Sequence, residues 1–319
     1  MSPPTLSPGA LAAALPAGLP LEAHAHEASP SPSTHAADAA DAERTRPLWH
    51  CLRGHKLAVF SLGWIVFALL LAAAAPWIAP YDPNAADPAL RLEPPLTPGH
   101  LLGLDGQGRD LLSRVIWGGR ESLLSTILPV FVAVVLSLAL GLFAGYTRGR
   151  ASALVMRIID ILFAFPMVLL AIGLATALGP GRWTIALTII FTATPYLTRV
   201  VYAGVRAERD KEYVEAARAL GAPTRTVLLR EILPNVATPA IVYGTTLVGS
   251  MIVFLSGLSF LGLGTQPPTA DWGRMVSEGA QVLVLDAAHV ATVPALAIVS
   301  VALAFNWLGN GLRDWLDPR

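Results

Sequence analysis

The chain has 319 residues, 54% of them hydrophobic and only 14% charged, with a mean hydropathy of +0.57. A soluble domain carries about a quarter charged residues, so this balance belongs to a chain built for lipid. Acidic and basic residues are equal at 22 each, which excludes a polyelectrolyte, and the single Cys51 excludes an intrachain disulfide and a cysteine-rich metal site. Cys51 reads as an inert thiol near the first membrane entry.

Residues 1–46 are Ala, Pro, Ser and His with scattered acids, and hold no Lys or Arg before Arg44. The mildly apolar stretch 9–20 lacks the basic start of a signal peptide and is broken by Pro16 and Pro20. The segment reads as a disordered cytoplasmic tail, and His24, His26 and His35 as part of its solvated low-complexity sequence rather than a metal site. Residues 47–80 then carry the first spanning helix, at 58–79. Further apolar segments at 123–146, 154–178, 183–205, 238–264 and 290–308 each approach the ~20 residues a span needs. In lipid each must be helical, because its backbone groups find no water. The fold class is therefore all-α: a polytopic membrane protein with six transmembrane helices.

Lys and Arg give the orientation. With the N-terminus inside, the cytoplasmic side receives Arg44, Arg46, Arg53 and Lys56, then Arg148, Arg150 and Arg157. It also receives Arg206, Arg209, Lys211, Arg218, Arg225 and Arg230 in the long loop 206–236, and Arg313 and Arg319 at the tail. The outside receives Arg91, Arg109, Arg114, Arg120, Arg182 and Arg274. Both termini are then cytoplasmic.

The outer segment 81–120 is rich in proline, from Pro83 through Pro88, Pro94, Pro95 and Pro98, which favours an irregular loop. Near its end Leu111, Leu112, Val115 and Ile116 alternate with Arg109, Asp110, Ser113 and Arg114 at helical spacing, predicting a short amphipathic helix at the interface. Its glycines do not make a phosphate loop, because no strand precedes them and no Gly-Lys-Ser/Thr follows. Residues 121–319 form the core, with helices two to six.

Charges inside the bilayer are functional candidates because an isolated one is costly. Arg157 and Asp160, at i,i+3, are expected to pair with each other. Arg199, deeper in helix four, either meets a substrate carboxylate or snorkels to the interface. Helix five carries Thr245, Gly249, Ser256 and Ser259 among its small residues, which suit close packing, a wet path and gating by sliding. Pro166 and Pro195 are expected bends.

The polar island between helices four and five reads Tyr213-Val-Glu-Ala-Ala-Arg-Ala-Leu-Gly221, followed by Ile232-Leu-Pro-Asn235. From 207 to 220 no Gly or Pro interrupts a helix, Gly221 suits a left-handed stop, and Pro223 follows. A second short helix is expected at 224–232, running to Pro234. Two short helices joined by a Gly turn make a knob for a partner's groove, with Glu215 as charged contact and Ala216 and Ala217 allowing close approach. No Gly-x4-Gly-Lys-Ser/Thr, Ser-His-Asp or His-Glu-x-x-His arrangement is present, so an enzyme is disfavoured.

This island resembles the EAA loop of bacterial ABC-importer permeases, with Glu215, Ala216, Ala217, Gly221 and Pro234 on the motif. Gly103-x-Asp105 with Gly108-Arg-Asp110 and Ser113-Arg114 resembles the start of the C-type subunit of the dipeptide/oligopeptide/nickel permeases. Arg157-Ile-Ile-Asp160 with Phe165-Pro166, Ser259-Phe-Leu-Gly-Leu-Gly264 with Gln266-Pro-Pro268 and Trp272-Gly273, and Gly311-Leu-Arg-Asp314 with Leu316-Asp-Pro-Arg319 resemble later signatures, in family order. The chain departs from the pattern at Leu104, Tyr202, Glu231, Asn310 and Leu255, the last standing where relatives often carry Glu. The resemblance implies a type I ABC-importer permease fold in the bacterial inner membrane. It also implies a homologous permease partner, two ABC ATPase subunits reached through the EAA loop, and an extracytoplasmic solute-binding protein. This chain would bind no cofactor, ATP and Mg sitting on the ATPases. Cargo would be short peptides, with nickel, opines or sugars as alternatives. From another class, an ion-coupled secondary transporter using Asp160 or Arg199 is disfavoured by the lack of an inverted repeat. A scaffold that only recruits a cytosolic partner is the remaining alternative.

Overall fold

The structure, a computed structural model, describes residues 56–316. The expectations for the N-terminal tail, its histidines and Cys51 lie outside the described residues, as does the end of the C-terminal motif. Among the described residues five helices are long and apolar enough to cross a membrane, or six spans if one sharply bent pair counts as one.

Helix α1 (Lys56–Ala73) is followed by a turn at Ala75–Ile78, where Pro76 sits in the first turn. Helix α2 (Leu111–Tyr146) has 36 residues, about 54 Å at 1.5 Å per residue, so it projects well beyond a ~30 Å hydrocarbon core. The expected separate amphipathic helix is thus corrected: 111–120 is the outer third of one continuous rod. Gly118 and Gly119 do not break it because the Trp272 ring packs against them, within 3.0 and 2.9 Å of where a Cβ would stand.

Helices α3 (Arg150–Phe163) and α4 (Met167–Leu178) replace the single span expected at 154–178 and meet at 87°. Pro166 is the reason. It has no N–H, disfavours helix at Phe165, and serves as N-cap of α4. Helix α5 (Arg182–Glu208) passes through Pro195 without ending. The loop then carries α6 (Glu212–Ala219), a turn at Thr224–Thr226 and a π-helical stretch, Val227–Ile232, that runs directly into α7 (Leu233–Phe260). The expected free-standing helix at 224–232 is therefore the first part of one long element. Pro234 cannot donate to the Arg230 carbonyl, and the chain widens so that Leu233 N–H reaches Leu228 O instead. Helix α8 (Trp272–Ala280), not foreseen, and α9 (His289–Leu316) complete the order.

Lipid tails are as apolar as Leu, so close contact rather than water exclusion must hold the helices together. Small residues supply it. A Cβ on Gly141 or Gly145 would come within 2.6 and 2.7 Å of Val201 and Val205, fixing α2 on α5. Gly249 would meet Ala302 O at 2.7 Å and Gly311 would meet Ala58 at 2.5 Å, joining α7 to α9 and α9 to α1. Leu111, Leu123, Ile189, Ile252, Leu255, Trp272 and Phe305 fill the core between these helices.

At the end away from α6, the 79–110 segment is folded by a buried ion cluster. Asp105 accepts from Arg109 Nε at 2.7 Å and faces Arg114 Nε at 3.3 Å; Glu278 on α8 accepts from Arg109, Arg114 and Arg274 at 2.8, 3.3 and 3.0 Å. Arg114 is 0% exposed. Gly108, at φ +74°, lets this turn lie against Asp87, whose carbonyl O would be 1.9 Å from a Cβ. Asp110 caps α2 through Ser113 N–H at 2.7 Å, while its other oxygen contacts His100 Nδ1 at 2.8 Å. A segment that proline content marked as irregular is thus pinned at its base.

Candidate functional site

The loop between α5 and α7 is held at three points and exposed at a fourth. Arg209, following α5, is buried and donates to Gly145 O at 2.7 Å, fastening the loop to the end of α2. Val214, fully buried, is the hydrophobic foot of α6 and joins Val201, Val205, Val227, Ile232 and Val236 in a separate small core. The Tyr213 hydroxyl donates to Glu208 at 2.5 Å and accepts from Asn235 Nδ2 at 3.0 Å, while Asn235 also donates to Glu231 O at 2.9 Å. Burial and the hydrogen bond to Glu208 push the Tyr213 phenol up to about 12. One phenol thereby bolts α6 to the end of α5 and the start of α7.

Helix α6 ends in a Schellman arrangement. Ala222 N–H reaches Ala217 O at 3.1 Å and Gly221 N–H reaches Arg218 O at 3.0 Å, with Gly221 at φ +81°. No atom lies within 4 Å of a Cβ built on Gly221, so the backbone angle alone asks for glycine there. Glu215, Ala216 and Leu220 are exposed, Ala217 is half-buried, and Pro234 is exposed at the start of α7. Leu220 is 89% exposed. The arrangement offers a rigid ledge carrying one carboxylate, small alanines and one bare leucine, and no group placed for covalent chemistry.

Sequence reasoning missed the roles of Tyr213 and Asn235, because each acts through a partner far along the chain. It also missed Leu220, whose exposure only the tertiary fold reveals. The expected Arg157–Asp160 pair is corrected: Asp160 accepts from Arg199 Nη2 at 2.7 Å, and the Arg199 guanidinium lies 4.1 Å from the Phe163 ring centroid. Both side chains remain about half exposed. Thr245 is half-buried and donates to Ile241 O at 2.9 Å. Gly249, Ser256 and Ser259 are buried against neighbouring segments, Ser256 donating to Ile252 O. These three face no open path in this conformation. Leu255 is 1% exposed and packs in the main core.

A family model described as the binding-protein-dependent transport system inner membrane component matches residues 137–319. The chain belongs to that family. The model for the N-terminal transmembrane domain of oligopeptide transport permease C matches residues 45–95. The glutathione transport system permease protein GsiD of Pectobacterium atrosepticum is 41% identical over 257 residues, 80% of this chain and 85% of that protein. Its counterpart from Escherichia coli is 40% identical over 271 residues, 85% of this chain and 89% of that one. Among solved structures, an inward-facing MetNI methionine ABC transporter superposes with a TM-score of 0.51 at 20% identity, covering 64% of this chain and 97% of that one. That likeness establishes the ABC-importer permease fold. The chain is thus a multi-pass membrane permease component rather than an enzyme.

Proposed function

We propose that this permease forms half of an inner-membrane path for short peptides, pairs with a homologous permease, and is driven by two ATPases that dock on α6. The observation that carries the reading is the α6 ledge, rigid at its base and bare at its surface. Cations support the orientation. Lys56, Arg148, Arg150, Arg206, Lys211, Arg218, Arg225, Arg230 and Arg313 gather at the α6 end, which would be cytoplasmic. The opposite end carries fewer: Arg91, Arg109, Arg114, Arg120, Arg182 and Arg274. The family description supports delivery by an extracytoplasmic binding protein. The glutathione permeases among the relatives support peptide cargo.

ATP and Mg would sit on the partners, and the step made here is mechanical. When the ATPases close, α6 moves as a body, because its Gly221 cap and the Tyr213 bolt leave it little freedom of its own. Glu208 and Asn235 pass the movement to α5 and α7, and Arg209 passes it to α2. The helices then exchange between inward and outward access, an equilibrium that nucleotide biases. Arg199 and Asp160, charged and half exposed, would face this path; Arg199 suits a peptide carboxylate, and Thr245 would line the same side. Gly249, Ser256 and Ser259 would supply the smooth contacts over which helices shift.

The test is transport and ATP hydrolysis measured together in liposomes holding the complete assembly and its binding protein. Glu215→Ala and Gly221→Pro should insert normally yet lower peptide taken up per ATP hydrolysed. Full transport by both variants would overturn the coupling role.

A further inference from the structure

Two hollows meet at Arg120. One, of about 840 Å³, lies at the outer end between the 76–84 segment, α2 and the start of α5, and its charged lining is Asp82, Arg120, Glu121 and Arg182. The other, of about 560 Å³, is a groove between α1 and α2 that is apolar apart from Arg120 and ends at Phe131. Arg120 and Leu124 line both, so the two adjoin at these side chains, a charged mouth beside an apolar shaft. From Arg120 to Phe131 the shaft follows α2 for about 16 Å, close to half of a ~30 Å hydrocarbon core.

The mouth has the chemistry of a headgroup site. The Arg120 guanidinium lies 5.7 Å from the Trp117 ring centroid, and among the described residues it forms no ion pair. Arg182 holds Glu121 at 2.9 Å, and Asp82 accepts from Asn84 N–H at 2.8 Å. Arg120 and Asp82, the cation and the acid of this opening that form no ion pair among the described residues, complement a group bearing both a phosphate and an ammonium. Trp117 and Tyr81 flank it, the aromatic types favoured at a membrane–water boundary.

We infer that these adjoining hollows hold one amine-bearing, zwitterionic phospholipid, its phosphate on Arg120, its ammonium toward Asp82, and one acyl chain in the α1–α2 groove. Assignment to the outer leaflet rests on the orientation proposed above, whereas the site rests on its own geometry. A short peptide would occupy the mouth and leave the shaft empty. A protein face over the shaft would cover the exposed Leu124, Leu128 and Phe131 but leave the Arg120 charge unanswered beside apolar surface.

The test is native mass spectrometry of the assembled transporter in mild detergent, titrated in turn with phosphatidylethanolamine and phosphatidylglycerol. One phosphatidylethanolamine should be retained per permease, in preference to the glycerol headgroup. Arg120→Gln and, by filling the shaft, Leu124→Trp should each lower its occupancy about fivefold, while Leu154→Trp on α3 should not. Equal retention in all variants, or preference for phosphatidylglycerol, would overturn the site. Should the variants fold poorly, a photoactivatable phosphatidylethanolamine in membranes of the unaltered complex should label residues 120–131. Labelling spread evenly over exposed helices, or a second permease cross-linked to 124–131, would also overturn it. Uptake per ATP measured in the Arg120→Gln assembly separates loss of the lipid from failure of the transport reading, since lipid loss with intact coupling leaves the latter standing.

Discussion

Asp271 shows how one side chain can serve two structural ends at an electrostatic cost. It caps α8 through Arg274 N–H at 3.0 Å and accepts from the Ser122 hydroxyl at 3.1 Å, joining α8 to α2. Burial pushes its carboxyl above the ordinary carboxylate range. The folded protein therefore binds this proton more tightly than the unfolded chain does, and the group's contribution to stability falls as pH rises from about 4 through the raised value. Asp271→Asn keeps an accepting oxygen without the charge, so its melting temperature should improve relative to the parent as pH rises above about 4. A variant that fares worst at the alkaline end would show that the carboxylate is the favoured form. Gly108 gives a second test at this scale. Gly108→Ala must place a methyl against Asp87 O at a left-handed φ, and should cost more than about 1 kcal/mol in thermal unfolding. Gly257→Ala, inside α7 with nothing within 4 Å of its Cβ, is the control and should melt at or slightly above the parent.

Among the elements, the α6 loop makes the sharpest claim. Tyr213→Phe removes both hydrogen bonds of the bolt and leaves the ring in place. Losing them should loosen α6 by about 1–2 kcal/mol, seen as faster amide exchange across 212–219 and as ATP hydrolysis less tightly tied to uptake. Unchanged exchange would mean that Val214 and the small core hold the helix alone. Much of this element was legible from sequence, because the signals are local: an unbroken helical run, Gly221 at its end and Pro223 beyond. The spans were legible for the same reason, as uninterrupted apolar runs. What could not be read depends on distant partners. Asp160 passes over Arg157, three residues away, for Arg199 on another helix. The outer third of α2 looked like a surface helix because Arg109 and Arg114 are charged, yet Glu278, more than 160 residues on, buries them. The break at Pro166 was foreseen as a bend, but the 87° angle also depends on how α4 packs against α5.

For the whole molecule, the ion cluster decides whether the outer end behaves as one body. Three arginines share two carboxylates there, so removing one acid leaves buried cations underpaired. Glu278→Gln should therefore destabilise the protein by about 3 kcal/mol, and the pair Arg114→Met with Glu278→Met should recover part of that loss. Thermal melts of the purified assembly would measure both, and a double variant no better than the single one would show that the cluster is valued for shape rather than charge. Helix α2 gives this cluster its wider meaning. Arg209 grips the rod at Gly145 near one end, and Arg114 is locked into the loop at the other. A stiff rod of about 54 Å, tilted by about 10° at its inner grip, carries its far tip roughly 9 Å sideways. On the coupling proposed above, news of the nucleotide state inside the cell would arrive at the outer face as a single sweep of one helix, with no relay of side chains between.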